Sequence, residues 1–233
     1  MKEIHFREID STNTYLKENY ASLDDLTFVS ADYQSSGKGR NQRVWDSRAG
    51  ENLLFSLLIK DSNYFPLYKA ISIVSAYSVM KTLNEFSIKD TMIKWPNDVY
   101  VKGQKICGIL LESVSRNEIE CLIIGIGINV NQKTFGTDYI HPPVSMRNIL
   151  NKEIDMNEFK VACFSNLLSD LEKLKEGYDY YPEISNYDYL KGQNVFHEGK
   201  KYTVEGINED YTLKLSHDGQ ERNVEAGEIS FHS

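Results

Sequence analysis

Lys94-Trp95-Pro96-Asn97-Asp98-Val99-Tyr100-Val101-Lys102-Gly103-Gln104-Lys105-Ile106-Cys107-Gly108-Ile109-Leu110-Leu111-Glu112 is the stretch that decides the fold. Two β-prone runs, Val99–Val101 and Ile106–Glu112, flank the tight Lys102-Gly103-Gln104 turn, which predicts a hairpin. Upstream, Thr91–Trp95 reads as a strand that stops at Pro96. Downstream, a turn near Ser115–Asn117 leads into the apolar run Ile119–Val130. Successive strands joined by short turns imply a largely antiparallel sheet.

Working outward, Thr27–Tyr33 and Asn52–Lys60 read as further strands. Ser11 suits the N-cap of a short helix through Tyr20. Pro66 is expected to open a helix to about Phe86. Asp155-x-x-Glu158 has the form of a capping box ahead of a helix that ends at Gly177. Residues 178–189 are aromatic and acidic and read as a connection packed on the core. After Lys191-Gly192 the pattern changes to short β runs, Asn194–His197, Lys201–Gly206, Thr212–Ser216 and Glu221–Val224, which suggests a small barrel. The exposed edge after Val130 could pair strands in a homodimer.

The 233 residues carry a net charge of −8 and 41% hydrophobic residues. That composition fits a soluble globular chain and argues against a general nucleic-acid-binding surface. Cys107, Cys121 and Cys163 are scattered without a CxxC pair, which reads as reduced thiols of a cytoplasmic protein. Met1 to Asp10 shows no signal-peptide core, and no apolar stretch is long enough to span a bilayer.

Four motifs could carry chemistry. In Gly37-Lys38-Gly39-Arg40-Asn41-Gln42-Arg43-Val44-Trp45, the glycines let backbone amides approach an anion. Between residues 35 and 48, Lys38, Arg40, Arg43 and Arg48 outnumber the single acid Asp46. The loop lacks the spacing of a Walker A or a dinucleotide fingerprint. Lys94 could bind a phosphate, and Asn97 and Asp98 could hold Mg²⁺ or orient a nucleophile. Lys105 begins an apolar strand whose Gly108 suggests close approach of another group; Gly125-Ile126-Gly127-Ile128-Asn129 suggests the same. Ser11, Thr12, Asn13 and Gln34 are neutral donors and acceptors suited to a group such as a urea. Taken singly, each motif has a bland reading: a solvated basic loop, a Pro-Asn-Asp turn, a gatekeeper lysine, a helix cap.

Together and in this order, Ser11–Asn13, Gly37–Trp45, Lys94–Asp98, Lys105–Glu112 and Gly125–Asn129 resemble the biotin–protein ligase family, and Gly227-Glu228-Ile229-Ser230 resembles its closing segment. Lys38 stands where Arg is commoner, and Gln42 where Gly is. The resemblance implies an α+β fold: a class II aminoacyl-tRNA synthetase-like mixed sheet with flanking helices over residues 1–189, and a C-terminal SH3-like β-barrel over 190–233. It implies the form without an N-terminal DNA-binding domain, because the catalytic motif begins at residue 11.

The implied activity is ATP- and Mg²⁺-dependent formation of biotinyl-5'-AMP and transfer to a lysine of a biotin carboxyl carrier protein. No nucleic-acid or membrane partner is expected. The implied biotin-binding residues are Ser11, Thr12, Asn13, Gln34, Lys38, Gly39, Arg40, Trp45, Lys105, Gly108 and Gly125. For ATP they are Arg40, Arg43, Trp45, Lys94, Asn97, Asp98, Lys105 and Asn129. Arg40, Lys105 and Asp98 would be catalytic, and Asp98 would touch the metal. The competing readings are a lipoate or octanoate ligase and a non-catalytic biotin-binding adaptor.

Overall fold

The structure is a computed structural model that describes residues 2–136 and 142–225. The resemblance at Gly227–Ser230 lies outside the described residues. In chain order the elements are β1 (Lys2–Ile9), α1 (Thr12–Asn19), β2 (Thr27–Gln34), β3 (Asn52–Ile59), α2 (Tyr68–Glu85), β4 (Thr91–Lys94), β5 (Asp98–Val101), β6 (Gln104–Ser115), β7 (Ile119–Asn129), α3 (Met146–Leu150), α4 (Met156–Lys175), α5 (Tyr181–Ile184), β8 (Asn194–His197), β9 (Lys200–Ile207), β10 (Leu213–His217) and β11 (Gln220–Val224). Seven strands form a mixed sheet in the order β1-β2-β3-β7-β6-β5-β4, and the last four form an antiparallel sheet in the order β11-β10-β9-β8.

Local signals act as expected at several ends. The Ser11 hydroxyl caps α1, accepting from Thr14 N–H at 3.4 Å. Asp155 caps α4, accepting from Asn157 N–H at 2.9 Å and Glu158 N–H at 3.0 Å. Pro66 does not open α2. It sits in a 3-10 turn, Ser62–Leu67, that Asp61 caps, and the α-helix begins at Tyr68.

The sheet is largely antiparallel, and residues 2–9, whose alternating charges conceal a strand, make it the mixed sheet that the resemblance implied by pairing parallel with β2. The proposed dimer edge after Val130 is not an edge: β7 lies mid-sheet between β3 and β6, and Val130 is fully buried.

The sheet has two unlike faces. On one, Phe28, Phe55, Leu57, Ile124 and Ile126 pack against α2 and α4. Phe28 and Phe164 stack there with ring centroids 3.9 Å apart. Each such fully buried side chain stabilises by roughly 1.5–3 kcal/mol. On the other, Leu16 of α1 packs on Val29, Leu58, Cys121 and Ile123. β3 is buried along its whole length because both faces are covered. All three cysteines are free and buried.

The chain beyond α5 clips onto edge strand β4. Tyr189 N–H donates to the Ile93 carbonyl at 2.9 Å, and Ile93 bridges Asp188 in parallel. The Trp95 indole N–H donates to the Tyr211 carbonyl at 2.8 Å. The hydrophobic core runs without a break from the large sheet through Leu190 and Val195 into the C-terminal one. Among the described residues no helix is long and apolar enough to cross a membrane.

Candidate active site

Strand register assembles the site. One row of directly opposed residues crosses the large sheet: Ala31, Leu54, Gly127, Gly108, Asp98 and Lys94. Opposed residues share a face, so Asp98 and Lys94 stand at the rim of a trough left by two glycines. The Trp45 indole lies in that trough. A Cβ added to Gly127 would meet it at 2.5 Å, and one added to Gly108 at 2.9 Å. The indole N–H is buried there with no hydrogen-bond partner among the described residues.

A β-bulge brings in Lys105. Val99 opposes Cys107, yet Tyr100 opposes Lys105, so β6 holds one extra residue against β5. That residue reverses the alternation and turns Lys105 to the trough face. Its ammonium lies 2.7 Å from Asp98 Oδ1 and 5.5 Å from the centre of a Trp45 ring. Lys94 donates to the Tyr100 hydroxyl at 3.1 Å. Burial holds Lys94 below the usual lysine range; nearby Asp98 opposes the shift, while Lys105 and Arg43 reinforce it.

Arg40 reaches the same place from the loop. Its Nη1 donates to Asn97 Oδ1 at 2.8 Å, and Asn97 Nδ2 donates to the Ile109 carbonyl at 2.6 Å. Burial lowers the Arg40 pKa, and the Asp98 carboxylate opposes that. Arg43, exposed, acts on both Arg40 and Lys94. Three cations from separated stretches, Arg40, Lys94 and Lys105, therefore converge on one carboxylate. Between the loop and β6 lies a cleft of about 740 Å³, lined by Gly37, Lys38, Arg40, Arg43, Leu110 and Glu112 among others.

The neutral motif forms a second, adjoining cluster. Gln34 Oε1 accepts from Thr12 N–H at 2.7 Å. The Thr12 and Ser56 hydroxyls are 2.6 Å apart, and Ser56 donates to Asn13 Oδ1 at 2.5 Å. Asn13 Nδ2 donates to Glu112 Oε2 at 2.7 Å.

Several sequence-predicted residues have other work. The space beside Gly125 is filled by the Asn13 carboxamide, and that beside Gly108 by Lys105 and Trp45. Gly39 N–H is spent on the Arg43 carbonyl at 2.7 Å, which closes the loop on itself instead of offering the amide to an anion. Asn41, at φ 53°, makes that closure possible. Lys38 lines the cleft and donates to Thr14 Oγ1 at 2.9 Å. Asn129 Nδ2 donates to the Val144 carbonyl at 3.2 Å, pinning a segment whose own N–H bonds Lys105 O.

The donor set does not fit a resident metal ion. Asp98, the expected ligand, is already ion-paired, and among the described residues no three acidic, His or Cys side chains cluster. Sequence reasoning missed Ser56, and it quoted Glu112 and Gly127 within motifs without giving either a role. A serine inside the otherwise apolar run Asn52–Ile59 was the available signal for the first.

Known proteins resemble this chain in sequence and in fold. The model of the biotin/lipoate A/B protein ligase family matches residues 5–129. A bifunctional ligase/repressor BirA of Bacillus subtilis is 40% identical over 110 residues, 46% of this chain and 33% of that protein. The Escherichia coli BirA is 27% identical over 235 residues, 97% of this chain and 72% of that protein. The chain thus spans about a third of the length of the first curated relatives it matches. A solved biotin protein ligase from Aquifex aeolicus, in complex with biotin and ATP, has a TM-score of 0.88 at 29% identity, covering 98% of this chain and 97% of that one. This chain belongs to the biotin/lipoate A/B protein ligase family.

Proposed function

We propose that this chain is a biotin–protein ligase: it joins biotin to ATP as biotinyl-5'-AMP, releases pyrophosphate, and passes the biotinyl group to a lysine of a biotin carboxyl carrier domain. The observation that carries the reading is the convergence of Arg40, Lys94 and Lys105 on Asp98 beside the glycine-floored trough. In the first step a carboxylate oxygen attacks the α-phosphorus and the bond to pyrophosphate breaks. Both partners are anions, so a preorganised positive field lowers that barrier.

Lys105 and Arg40 would meet the biotin carboxylate and α-phosphate, and Lys94, Arg43 and Asn97 the remaining phosphates. Trp45, already over the trough, would cover the acyl chain and keep water from the acyl-adenylate. Magnesium would arrive on the triphosphate rather than in a protein cage. In the second step a neutral lysine amine attacks the acyl carbon and AMP leaves. Asp98, released from Lys105 by the anionic substrates, would orient that amine. Residues 1–189 would carry this chemistry and 190–233 would brace it. The buried free thiols suit a reducing, cytoplasmic setting.

The polar cluster of Thr12, Asn13, Gln34 and Ser56 favours biotin over lipoate. A dithiolane ring would leave the Thr12 oxygen and the Gln34 NH₂ unmet, whereas a cyclic urea can satisfy both. The test is pyrophosphate release with ATP, magnesium and biotin, each omitted in turn, and with lipoate replacing biotin. Release should need all three and fail with lipoate. Biotin binding without pyrophosphate release would instead make the chain a binding module.

A further inference from the structure

We propose that Glu112, held by Lys17, is a positioning residue that sets the donor–acceptor direction of the ring-recognition cluster, and so selects a urea over groups of opposite hydrogen-bond polarity. The proposal rests on the biotin-ligase reading above and adds Lys17 and Ser56, which lie outside the motifs, together with a role for Glu112, which ends one of them.

Hydrogens can be placed one by one along a chain of contacts. Glu112 lies on the trough face of β6, in step with Gly108 and Leu110, and lines the cleft. Its Oε1 accepts from Lys17 Nζ at 2.5 Å and its Oε2 from Asn13 Nδ2 at 2.7 Å. A carboxylate paired with an ammonium can only accept. The Asn13 amide must therefore turn its NH₂ to Glu112 and its carbonyl oxygen to Ser56. Ser56 in turn has to donate to that oxygen, which it does at 2.5 Å. Its one hydrogen is then used, so only Thr12 can donate across the 2.6 Å contact between the hydroxyls, and its single hydrogen is divided between Ser56 and Gln34 Oε1, 3.1 Å away. The Thr12 N–H is also spent, on Gln34 Oε1.

What remains is a defined set of unused groups. Thr12 Oγ1 keeps lone pairs but no hydrogen. Gln34, its oxygen occupied, has its NH₂ left to donate. The cluster thus offers an acceptor and a donor side by side, which matches the N–H and C=O of a cyclic urea. If a carboxamide replaced the Glu112 carboxylate, it could present either an oxygen or an NH₂, so the Asn13 amide could flip and every hydrogen along the chain could reverse. Buried polar networks of this kind are cooperative, so one fixed end biases them all.

The test uses the whole chain without ATP, so that binding is read apart from turnover. Biotin and its cyclic guanidinium analogue, 2-iminobiotin, are titrated into wild type, Glu112→Gln and Ser56→Ala, with circular dichroism to verify folding. The analogue replaces the ring carbonyl acceptor with a donor. Wild type should prefer biotin strongly. Glu112→Gln, which keeps size and shape, should weaken biotin about tenfold and shrink the biotin-to-iminobiotin preference by a similar factor. Ser56→Ala, which cuts the relay further along, should shrink the preference too. Equal weakening of both ligands, or unchanged preference in both variants, would overturn the assignment, because a packing role moves both ligands together. A wild type that binds no biotin at all would remove the ligase reading itself, and this proposal with it.

Discussion

The Lys105 ammonium rests 2.7 Å from the Asp98 carboxylate because β6 carries one more residue than β5 between Cys107 and Lys105. Without that bulge, strict alternation would place Lys105 on the opposite face, among the buried side chains that pack on α2. In the proposed adenylation, this internal carboxylate would occupy the cation until a substrate anion competes for it.

Lys105→Ala should cut kcat/KM for biotin-dependent pyrophosphate release by about 10²–10³-fold, the usual cost of losing one preorganised contact to developing charge. Asp98 keeps Arg40 and Lys94 within electrostatic reach, so the fold should persist. Pyrophosphate release and a thermal melt measure the two effects. Turnover within a few-fold of wild type would reject the assignment.

Lys94 gives a pH signature with two opposite signs. Burial lowers its folded pKa, so as pH rises it loses its proton before an ordinary lysine does. Nucleotide affinity should therefore fall below the usual lysine range. Over the same window the unfolded chain binds more protons than the folded one, so this residue's contribution to stability rises with pH. Lys94→Arg should keep the charge and flatten the alkaline loss of ATP affinity, at some cost in geometry. ATP titrations against pH decide it; an alkaline limb identical in the variant would remove Lys94 from the nucleotide site.

Gly127→Ala probes the trough directly. The added Cβ would sit 2.5 Å from the Trp45 indole, so the ring has to move out of its seat. Overpacking of this kind costs about 1–3 kcal/mol where neighbours cannot yield, and here the cost should fall on the loop rather than the sheet. Trp45 fluorescence should shift toward that of solvated indole, proteolysis near residues 38–44 should quicken, and biotin affinity should drop. An unmoved spectrum with normal biotin binding would mean the indole is not part of the site.

Parts of this site were legible in the chain and parts were not, for reasons of periodicity. Lys94, Asn97 and Asp98 stand where a strand must end at Pro96, and a cluster of charge at a strand end is readable from one sequence. The bulge that turns Lys105 is not, because it depends on pairing between strands. β1 escaped notice because an edge strand with much of its length exposed carries charges on both faces. Gly125 and Gly127 look alike in sequence, yet one makes room for Asn13 and the other for Trp45, a difference that only register assigns. Glu112 reads as the end of an apolar strand, and its meaning comes from Lys17 and Asn13, nearly a hundred residues away.

Trp95 ties the C-terminal sheet to the chemistry, and its indole N–H is the handle. It donates to the carbonyl of Tyr211, a residue at φ 63° in a turn fixed by Asp210, which accepts from both the N–H and the hydroxyl of Thr212. Trp95 also separates Lys94 from the cis Pro96 and Asn97, so a looser indole frees both neighbours to drift. Trp95→Phe keeps most of the buried ring and removes the donor, leaving a carbonyl unsatisfied. The expected loss is about 1–3 kcal/mol, seen as a lower melting temperature, together with a several-fold rise in KM for ATP and little change in biotin affinity. If stability falls while KM for ATP holds, the C-terminal sheet supports folding alone; if both hold, the Tyr211 contact has no consequence for the adenylation motif.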